Sequence, residues 1–161
     1  MKLEDELKTT HFESKYHKAY LNLVFTASML EHAMQQLLKG LDLTTPQLNV
    51  LRILRGQKGK PMSAFAIQER MVHRTSNVTR IIDKLVEKKL VSRTFCADNR
   101  RKVDIVATGT GLELLKKADK LVQEGYRPLQ RAMTEQQAED LSCRLEAIRE
   151  AIGGIDVVAE E

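Results

Sequence analysis

The hydrophobic pattern of this chain changes period near Leu90, and that change restricts the fold more than any other feature. Upstream, apolar residues recur at steps of three and four in two short segments that begin at Ser63 and Thr75, as amphipathic helices require. Downstream, apolar and polar residues alternate over 90–95 and 102–107, which predicts two strands joined by a polar turn. Two short helices followed directly by a hairpin predict a helix-turn-helix with a wing.

Longer amphipathic helices flank this middle segment. Residues 11–39 carry apolar side chains at helical spacing and predict one helix roughly 40 Å long, more than a small domain can cover. Residues 112–155 predict two helices interrupted at Pro128, and the second has a narrow seam resembling that of a coiled coil. We therefore predict a single domain over 1–161, mainly α with a small β-hairpin wing, in which residues 44–107 form the winged helix-turn-helix lobe.

Charge is segregated along the chain. Residues 44–107 contain 14 Lys or Arg and 5 Asp or Glu, a balance of +9, whereas the rest carries −5 and the whole chain +4. A basic middle between acidic flanks is the distribution expected of a module that binds a polyanion. A solvated basic surface is the alternative, so the charge supports nucleic-acid binding only together with the predicted helix-turn-helix and hairpin.

Catalytic and membrane signatures are missing from the sequence. Cys96 and Cys143 form neither a CxxC motif nor a disulfide framework, and HExxH, GxGxxG and P-loop patterns do not occur. The longest apolar-leaning stretch, 21–30, is half a membrane span, and the first residues lack the apolar region of a secretory signal. We therefore expect a non-enzymatic, cytoplasmic protein that needs no cofactor or metal and does not associate with membranes.

The second helix of the predicted pair presents a polar face suited to a DNA groove. With Val78 toward the core, a rotation of about 100° per residue points Ser76 and Arg80 outward and places Asn77 and Lys84 to one side. In the major groove, arginine reads guanine and asparagine reads adenine by paired hydrogen bonds. An ordinary solvated helix face is the alternative. The predicted DNA-contacting residues here are Arg74, Ser76, Asn77, Thr79, Arg80 and Lys84.

The same helix carries groups for which a base contact is not expected. Asp83 and Glu87 share the outer face but lie toward its C-terminal half, away from the end that recognition helices insert. Thr79 lies toward the edge of that face and Arg74 precedes the helix. We expect both to contact phosphates, which set the register of a protein on DNA without reading its sequence.

Residues 76–111, with the sequence SNVTRIIDKLVEKKLVSRTFCADNRRKVDIVATGTG, resemble the recognition helix and wing of the MarR (multiple antibiotic resistance regulator) family. The resemblance is strongest over 44–111, and the order of the flanking helices fits along almost the whole chain. It implies a homodimeric winged-helix transcriptional regulator, usually a repressor, that binds a palindromic operator in double-stranded DNA. It also implies that residues 11–39 and 112–155 form the dimer, and that small phenolic or lipophilic effectors release DNA from many members.

The predicted hairpin tip is basic, and one of its arginines can enter a narrow, electronegative minor groove. The family wing carries Asp-x-Arg. Counted back from the threonine that ends the second strand, this motif falls on residues 99–101 and lacks its acid, whereas counted from Asp98 it ends at Arg100. Arg100 and Arg101 are both candidates, with Arg101 ranked ahead. The wing candidates are Asp98, Asn99, Arg100, Arg101 and Lys102.

Aromatic and apolar residues of the first long helix are candidates for an effector pocket. Their helical spacing also fits core or dimer contacts, which are the alternative. The four candidates are Phe12, Tyr16, Tyr20 and Met34.

Two rival functions stay open. Cys96 adjoins the basic wing, where nearby cations would lower the pKa of its thiol and suit a redox-responsive regulator; packing at the strand end is the alternative. A helical protein-interaction module without specific DNA binding is the other rival. Metal sensing is not expected, because His11 and His17 are six residues apart and fall on different helix faces.

Overall fold

The computed structural model describes residues 1–73, 77–96 and 99–153, with residues 95–96 and 99–102 described by their backbone. Helices and one hairpin follow in the predicted order, which confirms the mainly α class with a small β-hairpin wing. The helices are α1 (Leu3–Leu7), α2 (Lys15–Leu38), α3 (Thr45–Gly56), α4 (Ala64–Gln68), α5 (Val78–Glu87), α6 (Gly109–Gly125), α7 (Arg127–Ala132) and α8 (Glu135–Gly153), and the strands are β1 (Val91–Cys96) and β2 (Asn99–Ala107).

The chain divides into two compact units, Met1–Val122 and Gln123–Glu161. The first contains α1 to α5, the hairpin and most of α6, whereas the second contains the end of α6 together with α7 and α8. The assignment of residues 1–161 to one domain with a lobe over 44–107 stays a prediction.

The first unit is held together by one apolar core. Helix α3 contributes Leu48, Leu51 and Leu54, because these residues recur on one face of the helix. Burying a side chain of this size stabilises the fold by about 1.5–3 kcal/mol relative to leaving it in water. The core therefore fixes the helix-turn-helix, the hairpin and α6 in one body. Its other members include Ile67, Val78, Ile82, Leu85, Leu90, Val91, Ile105, Leu115, Ala118 and Val122.

Polar side chains cap the helices of this unit and set where they begin. The Thr44 hydroxyl accepts from the Gln47 N–H, and the Gln47 side chain accepts from the Thr44 N–H, so a capping box starts α3. In the sequence, Thr45 followed by Pro46 predicts Thr45 as the cap; the structure corrects this, since Thr45 is the first helical residue. Ser63 caps α4 as expected. The spacing of Thr110 and Glu113 in the sequence predicts a capping box at Thr110; this is wrong, because the Thr108 hydroxyl accepts from the Gly111 N–H and caps α6.

The N-terminal region differs most from the predicted elements. Helix α2 begins at Lys15 rather than at residue 11, because the Ser14 hydroxyl caps it by accepting from the His17 N–H. The pattern did not predict α1. The buried Leu3 and an ion pair between Glu4 and Lys18 attach this short helix to the rest of the unit.

The hairpin is antiparallel and pairs Val91 with Ala107 and Arg93 with Ile105. Met62 adds a third extended segment, since it exchanges two hydrogen bonds of 3.0 Å with Ile105. Pro61 and the glycine at position 59 in the sequence predict a short extended piece over 61–63, and the pairing of Met62 confirms it. Strand β2 begins at Asn99, three residues before the predicted start, so the connection between the strands is shorter than the pattern indicated.

The long helices bury little of their surface within one chain. Of α2, the structure buries Leu38, and of α8 it buries none of the described residues. The position of Cys143 in the last helix predicts a packed side chain, but the structure leaves it exposed. Within the described ranges, no helix is long and apolar enough to cross a membrane. Those ranges also contain no group of three His, Cys, Asp or Glu residues placed to hold a metal ion.

Candidate nucleic-acid interface

Helices α4 and α5 are held on α3 as the predicted helix-turn-helix. The Ser63 hydroxyl accepts from the Ala66 N–H at 3.2 Å, and Ile67 of α4 is fully buried. After α4, Val72 is anchored because its N–H donates to the Asn49 side-chain oxygen of α3 at 3.0 Å. The described part of the segment that follows α4 is therefore attached to α3.

Helix α5 separates an apolar face from a polar one. Val78, Ile82 and Leu85 are buried in the core. On the opposite side the structure exposes Thr79, Arg80, Asp83, Lys84 and Glu87, as the helical wheel predicts. Three hydrogen-bonding groups of the predicted contact set, a hydroxyl, a guanidinium and an ammonium, thus share one accessible surface of a rigid helix.

Asn77 is the N-terminal cap of α5. Its side-chain oxygen accepts from the Arg80 N–H at 3.2 Å and caps α5, which therefore begins at Val78 and not at Thr75. Paired recognition of adenine uses both the oxygen and the nitrogen of an asparagine amide. The cap therefore uses one of the two lone pairs of the Asn77 oxygen, and the side-chain N–H groups take no part in it.

A cleft of about 300 Å³ lies between α5 and the start of α3. Arg80 and Lys84 line it from α5, and the N-terminal residues of α3 line the other side. The dipole of α3 places a partial positive charge at its N-terminus, although the Thr45 and Gln47 N–H groups there already donate to side chains of the protein. Cations and a helix terminus therefore face one cleft, which favours an anion such as a DNA phosphate. The remaining lining residues are Thr44, Pro46, Gln47, Asn77 and Ile81.

Sequence reasoning missed a residue on this surface. The Arg93 guanidinium of β1 donates to the Asp83 carboxylate of α5 at 2.8 Å. In the sequence Arg93 is one position of an alternating strand, and Asp83 is a solvated acid on the outer face. No local spacing relates them, because the contact forms only when the hairpin folds back on α5.

Helix α6 is tied to α3 by a charged cluster. Arg52 donates to Asp119 through Nε at 3.1 Å and Nη2 at 2.7 Å, and Arg55 donates to the second carboxylate oxygen. Partial burial alone would raise the pKa of Asp119, but the hydrogen bonds from both arginines outweigh it and hold that pKa below its ordinary value. The cluster fixes the helix that follows the hairpin on the helix that supports α5.

Some predicted contact residues fall where the structure gives no description. Arg74, Ser76 and Asp98 lie outside the described residues. The side chains of residues 99–102, which are Asn99, Arg100, Arg101 and Lys102, are outside them too, as is that of Cys96. Their roles stay predictions.

The effector candidates are spread along one helix and the segment before it. Tyr16 and Tyr20 are 88% and 63% exposed, whereas Met34 packs against the core. Phe12 forms an edge contact with His17, with ring centroids 6.3 Å apart. Tyr20 and Met34 are separated by roughly 21 Å of helix, so one chain alone does not gather these residues into one pocket.

Comparison with known proteins identifies the same region. A profile of the MarR family matches residues 43–103. The HTH-type transcriptional repressor IacR of Pseudomonas putida is 27% identical over 115 residues, covering 71% of this chain and 68% of the relative. A MarR transcription factor from Planctomyces limnophilus is 28% identical, with a TM-score of 0.66 over 85% of this chain and 99% of the other. The MepR–DNA complex of S. aureus shares 22% identity and a TM-score of 0.73, over 88% and 99% of the two chains.

Proposed function

The chain belongs to the MarR family of transcriptional regulators, and from that premise we propose that it is a homodimeric repressor of a palindromic operator. Regulators of this family bind DNA and are not enzymes, which confirms the two corresponding predictions from the sequence. The observation that carries the proposal is the outer face of α5, where Thr79, Arg80 and Lys84 project from a helix anchored in the core. We also propose a cytoplasmic location, where the operator would be accessible.

In the proposed complex, α5 enters the major groove and its residues divide into two roles. Arg80 reads a base, since its guanidinium is outward and can form paired hydrogen bonds with guanine. Thr79 and Arg74 contact phosphates, and Lys84 joins them through the cleft beside the start of α3. Ser76 and the free amide hydrogens of Asn77 supply further polar contacts at the N-terminal end of the helix.

The wing supplies the second set of proposed contacts. We assign Arg101, with Arg100 as the alternative, to the adjacent minor groove, where a narrow groove concentrates negative potential. Asp98, Asn99 and Lys102 flank these arginines in the sequence and complete the tip. This assignment rests on sequence and family resemblance.

A dimer would bring two such lobes onto one operator. Successive major grooves on one side of B-DNA lie about 34 Å apart, which a two-fold dimer must match. The apolar faces left exposed on α2 and α8 support this assembly, because Leu30 and Ile148 are 38% and 45% exposed in the single chain. Burial of such faces drives most protein association.

Release of DNA by a small molecule forms part of the proposal. An effector shifts the equilibrium only if it binds the state that does not bind DNA more tightly. We retain Phe12, Tyr16, Tyr20 and Met34 as the proposed pocket residues, with the second subunit supplying the surface that one chain lacks. A phenolic or lipophilic ligand would suit their aromatic and apolar side chains.

The test is selection of bound fragments from random duplex DNA, followed by titration of the recovered site. Arg80→Ala should weaken binding to that site by roughly 1–3 kcal/mol and relax the preference at one base position. Lys117→Ala, which removes an exposed positive charge from α6, is the matched control and should bind like the parent. Equal affinities for Arg80→Ala and the parent at fixed salt would remove Arg80 from base recognition.

The rival protein-interaction module makes a different prediction about salt. Release of counterions from DNA lowers log K by about 0.9 per phosphate contact for each unit of log salt concentration. Helix packing against a protein partner would show only a shallow dependence. Failure of the parent to bind any duplex at low salt would contradict the proposed function.

A further inference from the structure

Part of the base of the hairpin is separated from α5. A cleft of about 260 Å³ separates the two where the hairpin leaves the core. A water molecule occupies about 30 Å³ of liquid volume, so this space is too large to be a minor packing defect. Close packing therefore does not by itself fix the angle between hairpin and helix here. The cleft is lined by Ser63, Ala64, Thr79, Ile82, Arg93, Val103 and Ile105.

An ion pair connects the hairpin to α5 beside this cleft. The Arg93 guanidinium lies 2.8 Å from the Asp83 carboxylate, and their side chains are 42% and 49% exposed. Arg93 also lines the cleft, so the pair extends from its edge. The two side chains thus form a direct polar link between β1 and the outer face of α5.

Asp83 is electrostatically out of place on a surface that faces a polyanion. It lies one turn after Arg80 and next to Lys84, on the exposed side of α5. A free carboxylate there would repel phosphates, whereas one paired with a guanidinium presents little net charge. In water an exposed pair contributes little to stability, but the attraction strengthens when a ligand excludes solvent from it.

We propose that the Asp83–Arg93 pair is a positioning device that holds the wing at a fixed angle to the recognition helix. Its effect is to let one subunit make its major-groove and minor-groove contacts at the same time. Neither side chain acts mainly as a DNA contact. This inference rests on the proposed function and adds to it two residues that act through α5 and the wing.

Two simpler roles for the pair predict different signs. If Arg93 were only a phosphate contact, removal of the neighbouring carboxylate would strengthen DNA binding. If Asp83 read a cytosine amino group, its substitution would change the preference at one base position. Substitution of Arg93 would then leave DNA binding unchanged. Positioning instead predicts that loss of either partner weakens binding, and that loss of the second partner costs nothing further.

The experiment is a double-mutant cycle on the operator recovered from random duplex DNA, with Asp83→Asn, Arg93→Gln and the double variant. Each single variant should weaken binding by roughly five- to twentyfold, and the double variant should bind no more weakly than the singles. All three should lose the preference for narrow-groove over wide-groove flanking sequences. Their base preference within the major-groove half-site should stay that of the parent.

Matched controls come from another exposed ion pair. Glu113 and Lys116 of α6 lie 2.7 Å apart, and Glu113→Gln and Lys116→Gln should leave affinity and flank preference unchanged. Tighter binding by Asp83→Asn, additive losses in the cycle, or an unaltered flank preference would each overturn the inference. A parent protein that binds no duplex would instead overturn the proposed function, and the inference with it.

Discussion

Helices α3 and α8 both carry apolar residues at steps of three and four, but their surroundings are very different. Helix α3 buries five of its 12 residues, whereas none of the 19 residues of α8 is buried. Leu51 of α3 is completely enclosed, while Leu141 and Ile152 of α8 are 42% and 58% exposed. The same kind of stripe thus packs in one unit and is left open in the other.

This difference indicates what each region needs in order to be stable. The residues around α3 form a core within one chain, so the stability of the lobe should not depend on protein concentration. The stripe of α8 gains its burial only from another surface, which we propose to be a second copy. Changes in the lobe should therefore act on folding, and changes in α8 on assembly.

The largest effect should follow Gly111→Ala in the lobe. A Cβ at this position would lie 2.1 Å from the carbonyl oxygen of Leu90, an atom of the backbone that already accepts from the Thr108 N–H. Because backbone must move, we expect the free energy of unfolding to fall by about 3 kcal/mol or more. Urea denaturation at two protein concentrations would measure the loss and show whether it is independent of concentration.

Gly109→Ala is the matched control, two residues away on the same helix. Nothing lies within 4 Å of a Cβ there, and alanine has the higher helix propensity. The free energy of unfolding should stay within about 1 kcal/mol of the parent. Similar losses for both variants would mean that α6 is not held against Leu90 as described.

The next effect concerns assembly. Leu141→Arg places a charge in the exposed stripe of α8 and should weaken dimerisation by roughly 30- to 300-fold. Ala147→Arg adds the same charge about 120° away around the helix and should leave the dimer intact. Sedimentation at several concentrations distinguishes the two. If both variants dissociated the dimer equally, or if neither variant dissociated it, the stripe would not be the interface.

A smaller effect is expected where α6 meets α3. Asp119→Ala removes the carboxylate that accepts from Arg52 and Arg55 and should lower the free energy of unfolding by about 1–2 kcal/mol. The pKa of Asp119 is depressed in the folded state, so its contribution is complete above the ordinary aspartate value. As pH falls below about 4, the unfolded chain takes up the proton first and the difference between parent and variant should shrink. A constant difference from pH 7 to pH 2 would contradict this linkage.

The lobe was largely predictable from sequence because its signals are local. The three- and four-residue steps of α5 predicted its buried face, and the hydroxyl of Ser63 predicted the start of α4. The predicted start of a helix was wrong where two adjacent hydroxyl residues could both serve as the cap, as Thr44 and Thr45 could before α3. Only the geometry shows which hydroxyl reaches the Gln47 N–H.

Contacts between distant residues were not predictable. Arg52 and Asp119 are 67 positions apart, and Arg93 meets Asp83 across the end of a helix and a turn. Charged residues at such separations carry no periodic signal, so their pairing depends on the folded arrangement. For the same reason, periodicity predicted that α8 is amphipathic and could not predict that one chain leaves its stripe uncovered.

The smallest effect gives the most direct comparison, because α3 and α8 begin with the same capping box. The Gln47 N–H donates to the Thr44 hydroxyl at 3.3 Å, and the Gln137 N–H donates to the Thr134 hydroxyl at 3.3 Å. In both boxes the glutamine side-chain oxygen accepts from the threonine N–H. Thr44→Ala should lower the global free energy of unfolding by about 1 kcal/mol, since α3 cannot fray without exposing the core. In a monomeric background, Thr134→Ala should cost less globally, by about 0.5 kcal/mol or less, and instead raise hydrogen exchange in the first turn of α8. Equal global losses would mean that α8 unfolds together with the lobe, and the contrast between the two helices would then lie in their exposure alone.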